Sequence, residues 1–404
     1  MSTSDSFIID AIRTPIGKFG GALANVRTDD LAAHIIKSLI DRNDFDPIII
    51  DDVILGCANQ AGEDNRNIAR MSLLLAGLPI TVPGETVNRL CSSGMSAVIH
   101  AHRSIQAGDG DVFISGGVES MTRGPWVISK SSKPFGRDAE MFDSSFGWRF
   151  INPKLNELYG TESMGQTAEN LAEKYDINRM DQDEFALNSQ QKAAKAQQCG
   201  RFEKEINPIE IPQKKSASIY FATDEFIKPN TTLEILSSLN AVFKKNGSVT
   251  AGNSSGINDG AAAMVISSED GIKTHSLNPL ARIVSSAVVG VEPSIMGIGP
   301  VMAANKALEK ANLKMNQMDV IELNEAFSAQ SLACIRQWGL DDNDTRINPN
   351  GGAISLGHPL GMSGTRIIQT AALELNIQSK KYALVTMCVG VGQGYAVIIE
   401  NINI

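Results

Sequence analysis

Short apolar runs, each closed by Gly, Asp or Asn, divide the chain into strands and amphipathic helices. Residues 7–12 read as a strand, and apolar positions 31, 32, 35, 36, 39 and 40 follow helical spacing behind Asp29 and Asp30. Residues 48–55 read as a strand interrupted by an Asp pair, and 67–77 as a helix stopped by Gly. A helix over 93–106 and a buried strand over 112–115 complete a β-α-β-α-β order, which predicts an α/β domain with a covered sheet. The texture returns later in the chain, with strands at 282–289 and 320–323 and helices at 301–311, 325–338 and 363–375. Strands at 383–388 and 395–399 close it. The intervening residues 123–250 are polar, rich in Lys, Gln and Asn, with one long helical pattern at 181–198. They read as an inserted cap that would wall a ligand site.

The two halves share more than texture. Cys91 and His358 lie 267 positions apart, and each is followed by Gly-Met-Ser, at Gly94-Met-Ser96 and Gly361-Met-Ser363. The same offset pairs Asp52-Val-Ile with Asp319-Val-Ile, and a slip of four residues enters by Asp111 and Tyr382. One structural unit used twice is expected, with a thiol in the first copy and an imidazole in the second. A third element, Cys388-Val-Gly-Val-Gly392, adds another thiol.

Composition narrows the partners. A chain of 404 residues has room for two or three domains and a large core. Its net charge of −9 speaks against nucleic acid or an anionic membrane as partner. No apolar run reaches the length of a membrane span, and Met1-Ser-Thr-Ser-Asp-Ser6 lacks a signal-peptide pattern. Five scattered cysteines without Cys-x-x-Cys fit a reducing compartment, so a cytoplasmic location and no metal site are expected.

A single Cys is usually a small buried apolar residue. Cys91, however, stands just before the predicted 93–106 helix, where the macrodipole favours a thiolate. His358 sits between Gly357 and Pro359, on a tight loop rather than in an apolar run, whereas His34, His100, His102 and His275 lie on ordinary patterns. Cys388 enters a Gly-x-Gly loop whose bare N–H groups can face an oxyanion. Asn324, taken alone, reads as a helix N-cap. Two thiols, an imidazole and an amide on such turns suit the making or breaking of a carbon–carbon bond.

Together these stretches carry a family resemblance. Val87-Asn-Arg-Leu-Cys-Ser-Ser-Gly-Met95, Asn324-Glu-Ala-Phe327, Gly351-Gly-Ala-Ile-Ser-Leu-Gly-His-Pro-Leu-Gly-Met-Ser-Gly364 and Cys388-Val-Gly-Val-Gly-Gln-Gly394 resemble the thiolases, acyl-CoA:acetyl-CoA C-acyltransferases. The likeness runs from Asp10-Ala-Ile-Arg-Thr-Pro15 almost to the last residue. It implies an α/β fold of two duplicated halves in α-β-α-β-α layers plus an inserted loop domain. The halves would be 1–122 with 251–278, and 279–404, around an insertion at 123–250. It implies Cys91 as the acylated nucleophile, His358 as its activator and Cys388 as the acid/base at the substrate α-carbon. His358 and a water on Asn324 would form one oxyanion hole, and the N–H groups of Cys91 and Gly390 a second. CoA is expected as co-substrate with no tightly bound cofactor. Val249-Thr-Ala-Gly-Asn-Ser-Ser-Gly256 resembles the pantetheine loop, with Ser255 as hydroxyl contact. Met164, Leu239, Phe243, Ala326 and Phe327 fall on tunnel positions, and Lys228 on a position for the nucleotide phosphates. Ser163 and Ile235 depart from the family pattern, which marks a different acyl specificity. A homodimer or homotetramer is expected.

Two more stretches bear on the acyl group. Gly56-Cys-Ala-Asn-Gln-Ala-Gly-Glu-Asp-Asn-Arg-Asn-Ile-Ala-Arg70 and Phe146-Gly-Trp-Arg-Phe-Ile-Asn-Pro153 look like the 3-oxoadipyl-CoA thiolases of aromatic-compound breakdown. Those enzymes form succinyl-CoA and acetyl-CoA. Their substrate ends in a carboxylate, which calls for a cation, best a bidentate Arg. Arg66 is the first candidate, with Arg149 and Arg137 beside it. A general acetyl-CoA C-acetyltransferase or 3-ketoacyl-CoA thiolase remains an alternative. A non-enzymatic acyl-CoA-binding relative is disfavoured by the filled catalytic positions.

Overall fold

The computed structural model describes residues 4–213 and 217–404. The first half begins with β1 (Ser6–Arg13), α1 (Thr28–Asn43), β2 (Asp52–Gly56), α2 (Ile68–Leu75), β3 (Gly84–Val87), α3 (Ser93–Ala107) and β4 (Val112–Ser120). An irregular region follows, carrying α4 (Met164–Lys174) and α5 (Arg179–Gln198), and the chain then returns as β5 (Asn258–Ser268). The remainder is β6 (Ala281–Gly290), α6 (Gly299–Ala311), β7 (Val320–Leu323), α7 (Ser328–Gln337), α8 (Leu360–Gln378), β8 (Tyr382–Val389) and β9 (Gln393–Glu400).

The strands run in the order β7-β8-β9-β6-β1-β5-β4-β2-β3. Among the described residues, two pairs, Phe7 with Arg282 and Ile8 with Ala281, join the two halves edge to edge. Side-chain alternation then sorts the layers. Phe113, Met264, Ile266, Val385, Val397 and Ile399 face a central core with α3 and α8. Their strand neighbours Val112, Ile114 and Val265 face α1 and α2, and Leu384, Ala396 and Ile398 face α6 and α7. The result is α-β-α-β-α. Because α8 lies between sheets it is buried all round, with fourteen buried residues of nineteen. Some of its polar side chains find partners inside: Gln369 donates to the Ala11 and Glu205 carbonyls, and Glu374 accepts from Arg201.

Several expectations shift in detail. The strand foreseen over 48–55 starts only at Asp52, because Pro47–Ile49 forms a tight turn nucleated by Asp46 accepting from the Ile48 N–H. Strand β5 has no counterpart among the strands read from the sequence. Its run Gly-Ala-Ala-Ala-Met-Val-Ile is buried on both faces, so no alternation distinguishes strand from helix. The expected pairing of Asp52 with Asp319 slips by one. Asp51 accepts from the Asp111 and Val112 N–H groups as Asp319 does from Lys381 and Tyr382, so Asp51 is the structural equivalent.

The Arg13-Thr-Pro stretch is structural. Arg13, fully buried, donates to Glu205 at 3.0 Å and bidentately to Asp224 at 2.7 and 2.9 Å, tying β1 to the inserted region. Removing one partner of so buried a pair costs about 3–5 kcal/mol. Among the described residues, no helix is long and apolar enough to cross a membrane.

Candidate active site

Cys91 lies on a short turn, Leu90–Ser92, that runs directly into α3. Leu90 has φ 47°, a left-handed conformation that a bulky residue adopts only when its surroundings impose it. Those surroundings are polar. The Leu90 N–H donates to Asn88 Oδ1 at 2.8 Å, and Asn88 Nδ2 donates to the Ala58 carbonyl at 3.0 Å. Ser93 Oγ accepts from the Arg89 N–H and donates to the Leu90 carbonyl.

The repeated Gly-Met-Ser brings this turn to His358. A Cβ on Gly94 would stand 2.5 Å from the Gly361 carbonyl oxygen, and one on Gly364 would strike the Met95 backbone. Helices α3 and α8 therefore cross backbone to backbone at their N-terminal ends, which carry the two functional turns. No side chain larger than hydrogen fits there.

His358 is buried and held in one tautomer. Ser363 Oγ donates to the Pro359 carbonyl at 2.8 Å, so its 2.6 Å bond to His358 Nδ1 requires the ring to donate. Nε2 is left with its lone pair, 3.5 Å from Asn324 Nδ2. Burial, with the Arg366 charge adding, lowers the His358 pKa to about 3, so the ring is neutral at physiological pH. Asn324 follows β7, and α7 begins only at Ser328, so the N-cap reading is replaced by this contact. Among the described residues its buried Oδ1 has no protein partner.

Burial pushes the Cys91 thiol up to about 11, opposed by the N–H groups of Gly390 and of Cys91 itself, which lie against the sulfur. The helix-end stabilisation of a thiolate expected from the sequence is outweighed by desolvation. Cys388 lies inside β8, and burial raises its thiol well above the ordinary value, with Cys91 close enough to add to the rise. The tight hairpin after it, with Val391 at φ 60° and Gly392 at φ 76°, presents the Gly390 amide.

The positions tied to CoA converge. Met164, Ala326, Phe327 and Cys388 form one apolar cluster. Phe243 meets Phe327 edge-on at 6.3 Å, and Leu239 packs at Gly252. The Ser255 N–H donates to the Ala326 carbonyl at 2.9 Å, which lays the 249–256 loop along the cluster. Lys228 stands farther out, its Nζ 4.9 Å over the Phe226 ring. A groove of about 530 Å³, lined by Lys18, Phe19, Glu225, Phe226, Lys228 and Ile257, runs past this point. Ser163 caps α4 by accepting from the Gln166 N–H, and Ile235 is exposed.

The three arginines separate. Arg66 and Arg137 are exposed, whereas Arg149 is half-buried and hydrogen-bonded to Ser144 and Asn59.

Sequence reasoning passed over Glu119. This fully buried carboxylate accepts from the N–H groups of Ala58, Asn59 and Gly361, and so ties β4 to the loop after β2 and to the His358 turn. Burial raises it to about 7. A Glu in the otherwise apolar run Val-Phe-Ile-Ser-Gly-Gly-Val-Glu was the available signal. Cys57, Asp64 and Glu119 lie within 4.8 Å of one another, but amide donors already occupy both carboxylates.

A buried neutral imidazole, two neighbouring thiols and converging amides meet beside an apolar cluster, an arrangement able to carry an acyl group on sulfur. The chain belongs to the thiolase family: models of the thiolase N-terminal and C-terminal domains match residues 6–270 and 277–401. It is 56% identical to the 3-oxoadipyl-CoA/3-oxo-5,6-dehydrosuberyl-CoA thiolase of Escherichia coli over 98% of this chain and 100% of that one. Its fold matches the crystal structure of the Bacillus anthracis acetyl-CoA acetyltransferase with a TM-score of 0.92, at 40% identity and 99% coverage of both chains. Human mitochondrial 3-ketoacyl-CoA thiolase in complex with CoA matches with a TM-score of 0.91, at 41% identity and 98% coverage of both.

Proposed function

We propose that the protein cleaves 3-oxoadipyl-CoA with CoA, giving succinyl-CoA and acetyl-CoA through a succinyl thioester on Cys91. The observation that carries this reading is the 56% identity, over essentially the whole chain, to a thiolase named for that substrate. The site geometry supports the steps. His358 Nε2 takes the Cys91 proton as the sulfur attacks the 3-keto carbon. The alkoxide formed meets the N–H groups of Cys91 and Gly390, which already point at the sulfur. Breaking the C2–C3 bond sends its electron pair to the enolate of acetyl-CoA. That oxygen is stabilised by His358 Nε2–H and a water on Asn324 Oδ1, while Cys388 protonates C2. The incoming CoA gives its proton to Cys388 and attacks the acyl carbonyl, and Cys91 recovers its proton from His358. Losing one oxyanion donor of this kind raises the barrier by about 3–4 kcal/mol.

The pantetheine arm would run over Ser255, Leu239, Phe243, Met164, Ala326 and Phe327, and the phosphates would lie by Lys228. The groove beside Lys18 and Lys228 supports that path. The divisions 1–122 with 251–278, 123–250, and 279–404 belong to the same reading, supported by β5 pairing with β4 along its length. The enzyme works in the cytoplasm as a homodimer or homotetramer. Support for association comes from exposed Trp126, Ile128 and Met141 on one hairpin and from exposed Leu75 and Ile80 near edge strand β3. Steady-state kinetics test the substrate: kcat/KM should favour 3-oxoadipyl-CoA over acetoacetyl-CoA by at least about 10-fold. The reverse preference would assign the site to acetyl-CoA C-acetyltransferase chemistry.

A further inference from the structure

The acyl group left on Cys91 by the proposed reaction ends in a carboxylate, on the third carbon beyond the thioester carbonyl. Behind the Cys91 turn the protein presents the wrong charge for it. Glu119 and Asp64 are buried there, and the Glu119 charge reaches the Cys91 sulfur. A carboxylate placed beside them needs a cation. Arg89 is committed to Ser96, Gln393 and the Tyr395 ring, and Arg123 to Glu63.

Arg149 is placed differently. It is half-buried, and no carboxylate lies within ion-pair distance of it among the described residues. It makes two hydrogen bonds, from Nη1 to the Ser144 carbonyl at 3.1 Å and from Nη2 to Asn59 Oδ1 at 3.4 Å. Most of the fork's N–H donors remain unused. The segment is pinned toward both walls of the site. Trp148 Nε1 donates to the Glu162 carbonyl at 3.1 Å, just ahead of Met164, whose sulfur would lie 3.9 Å from a Cβ at Gly390. On the other side, the Asn59 N–H donates to Glu119 and its Nδ2 to Ser144 Oγ. The adjoining Ala58 carbonyl accepts from Asn88, which holds the Leu90 N–H before Cys91.

We propose that Arg149, oriented by Asn59, receives the distal carboxylate of the acyl group on Cys91 and selects for it. This rests on the 3-oxoadipyl-CoA reading and supplies the residue that sets the preference. A guanidinium offers that carboxylate a bidentate, charge-assisted contact in a partly desolvated place.

The test measures kcat/KM for 3-oxoadipyl-CoA and for acetoacetyl-CoA in wild type, Arg149→Ala, Arg149→Lys and Asn59→Ala. It also measures the rates at which succinyl-CoA and acetyl-CoA acylate Cys91. The ratio of 3-oxoadipyl-CoA to acetoacetyl-CoA should fall roughly 10- to 150-fold in Arg149→Ala. It should fall less in Arg149→Lys, where a point charge replaces the fork, and several-fold in Asn59→Ala. A merely structural role would lower both substrates together and leave the ratio unmoved, which would overturn the proposal. Should wild type itself prefer acetoacetyl-CoA, the substrate reading fails. The ratio of succinyl to acetyl acylation then still decides the role of Arg149. If Arg149→Ala does not fold, Arg149→Lys carries the same comparison.

Discussion

The two turns that meet at the active site share one plan and carry different chemistry. Each functional residue precedes a helix whose first turn contains Gly, and the helices touch backbone to backbone at Gly94 and Gly361. In each, the following Ser braces a neighbour: Ser96 accepts from Arg89 Nε at 3.1 Å, and Ser363 from His358 Nδ1 at 2.6 Å. The likeness ends at the strand beside the turn. After β7 stands Asn324, reaching His358; after Leu55, its counterpart in β2, stands Gly56, pressed on the backbone of Ser93 and Gly94. Duplication has kept the positions where backbones pack. It has diverged where side chains face the cleft.

Mutating the two sulfurs breaks the comparison most severely. Cys91→Ser should abolish acyl-enzyme formation, a loss on the order of 10⁴-fold or more, since removing a nucleophile leaves only binding and oxyanion stabilisation. Labelled acetyl-CoA should transfer no label to the protein; a stoichiometric burst would show that another residue is acylated. Cys388→Ser should separate the half-reactions. Acylation of Cys91 by acetyl-CoA should persist, while exchange of acetyl-CoA α-protons in deuterium oxide should fall by about 10²- to 10⁴-fold, the usual contribution of a positioned acid/base. Wild-type exchange in this variant would remove Cys388 from that role.

The paired serines sharpen the comparison. Ser363→Ala leaves a buried His358 Nδ1–H without its acceptor and releases the tautomer, at a cost of about 1–3 kcal/mol. Acylation should therefore slow by roughly 5- to 150-fold. Ser96→Ala removes the equivalent hydroxyl next to Arg89 and should alter stability with little change in acylation. Equal effects on acylation would mean that both hydroxyls serve packing alone. Gly94→Ala tests the shared backbone contact through stability instead: its Cβ would press on the Gly361 carbonyl, and overpacking of this sort costs about 1–3 kcal/mol. A denaturant midpoint unchanged from wild type would mean that the helices can part without loss.

The sequence disclosed this scaffold unevenly, for physical reasons. Amphipathic helices such as α1 stood out because one face is wet, and the Cys91, His358 and Cys388 turns because Gly and Pro punctuate them. Strand β5 was hidden because burial on both faces removes alternation. The residues alone read Asn324 as an N-cap; its contact with His358 became visible only in the structure, where the helix starts at Ser328 and leaves the amide free. Glu119 and Ser363 act through partners remote in sequence or through a tautomer, neither of which local pattern records. On charge state the sequence and the structure point in opposite directions for the same reason. A helix N-terminus is visible in sequence, whereas the depth of burial that overrides it is not.

That charge state yields the subtlest prediction. With His358 lowered to about 3 and Cys91 raised to about 11, the resting pair is a neutral imidazole beside a neutral thiol, so the proton moves only as the sulfur attacks. A preformed thiolate–imidazolium pair would give an alkylation rate with a plateau between two ionisations. Here the logarithm of the rate at which iodoacetamide inactivates the enzyme should climb with unit slope through pH 9. No inflection should appear near 6.5, the ordinary imidazole value. Stability carries a matching sign. Unfolded His358 takes up a proton near 6.5 and the folded residue only near 3, so this group destabilises the fold progressively as pH falls through that window. Glu119 acts oppositely. Its carboxyl is raised from about 4.5 to about 7, so its contribution is complete below 4.5 and is lost as pH rises through 7. A plateau in Cys91 alkylation between pH 5 and 9 would show instead that the helix end and His358 overcome burial and hold the sulfur ionised at rest.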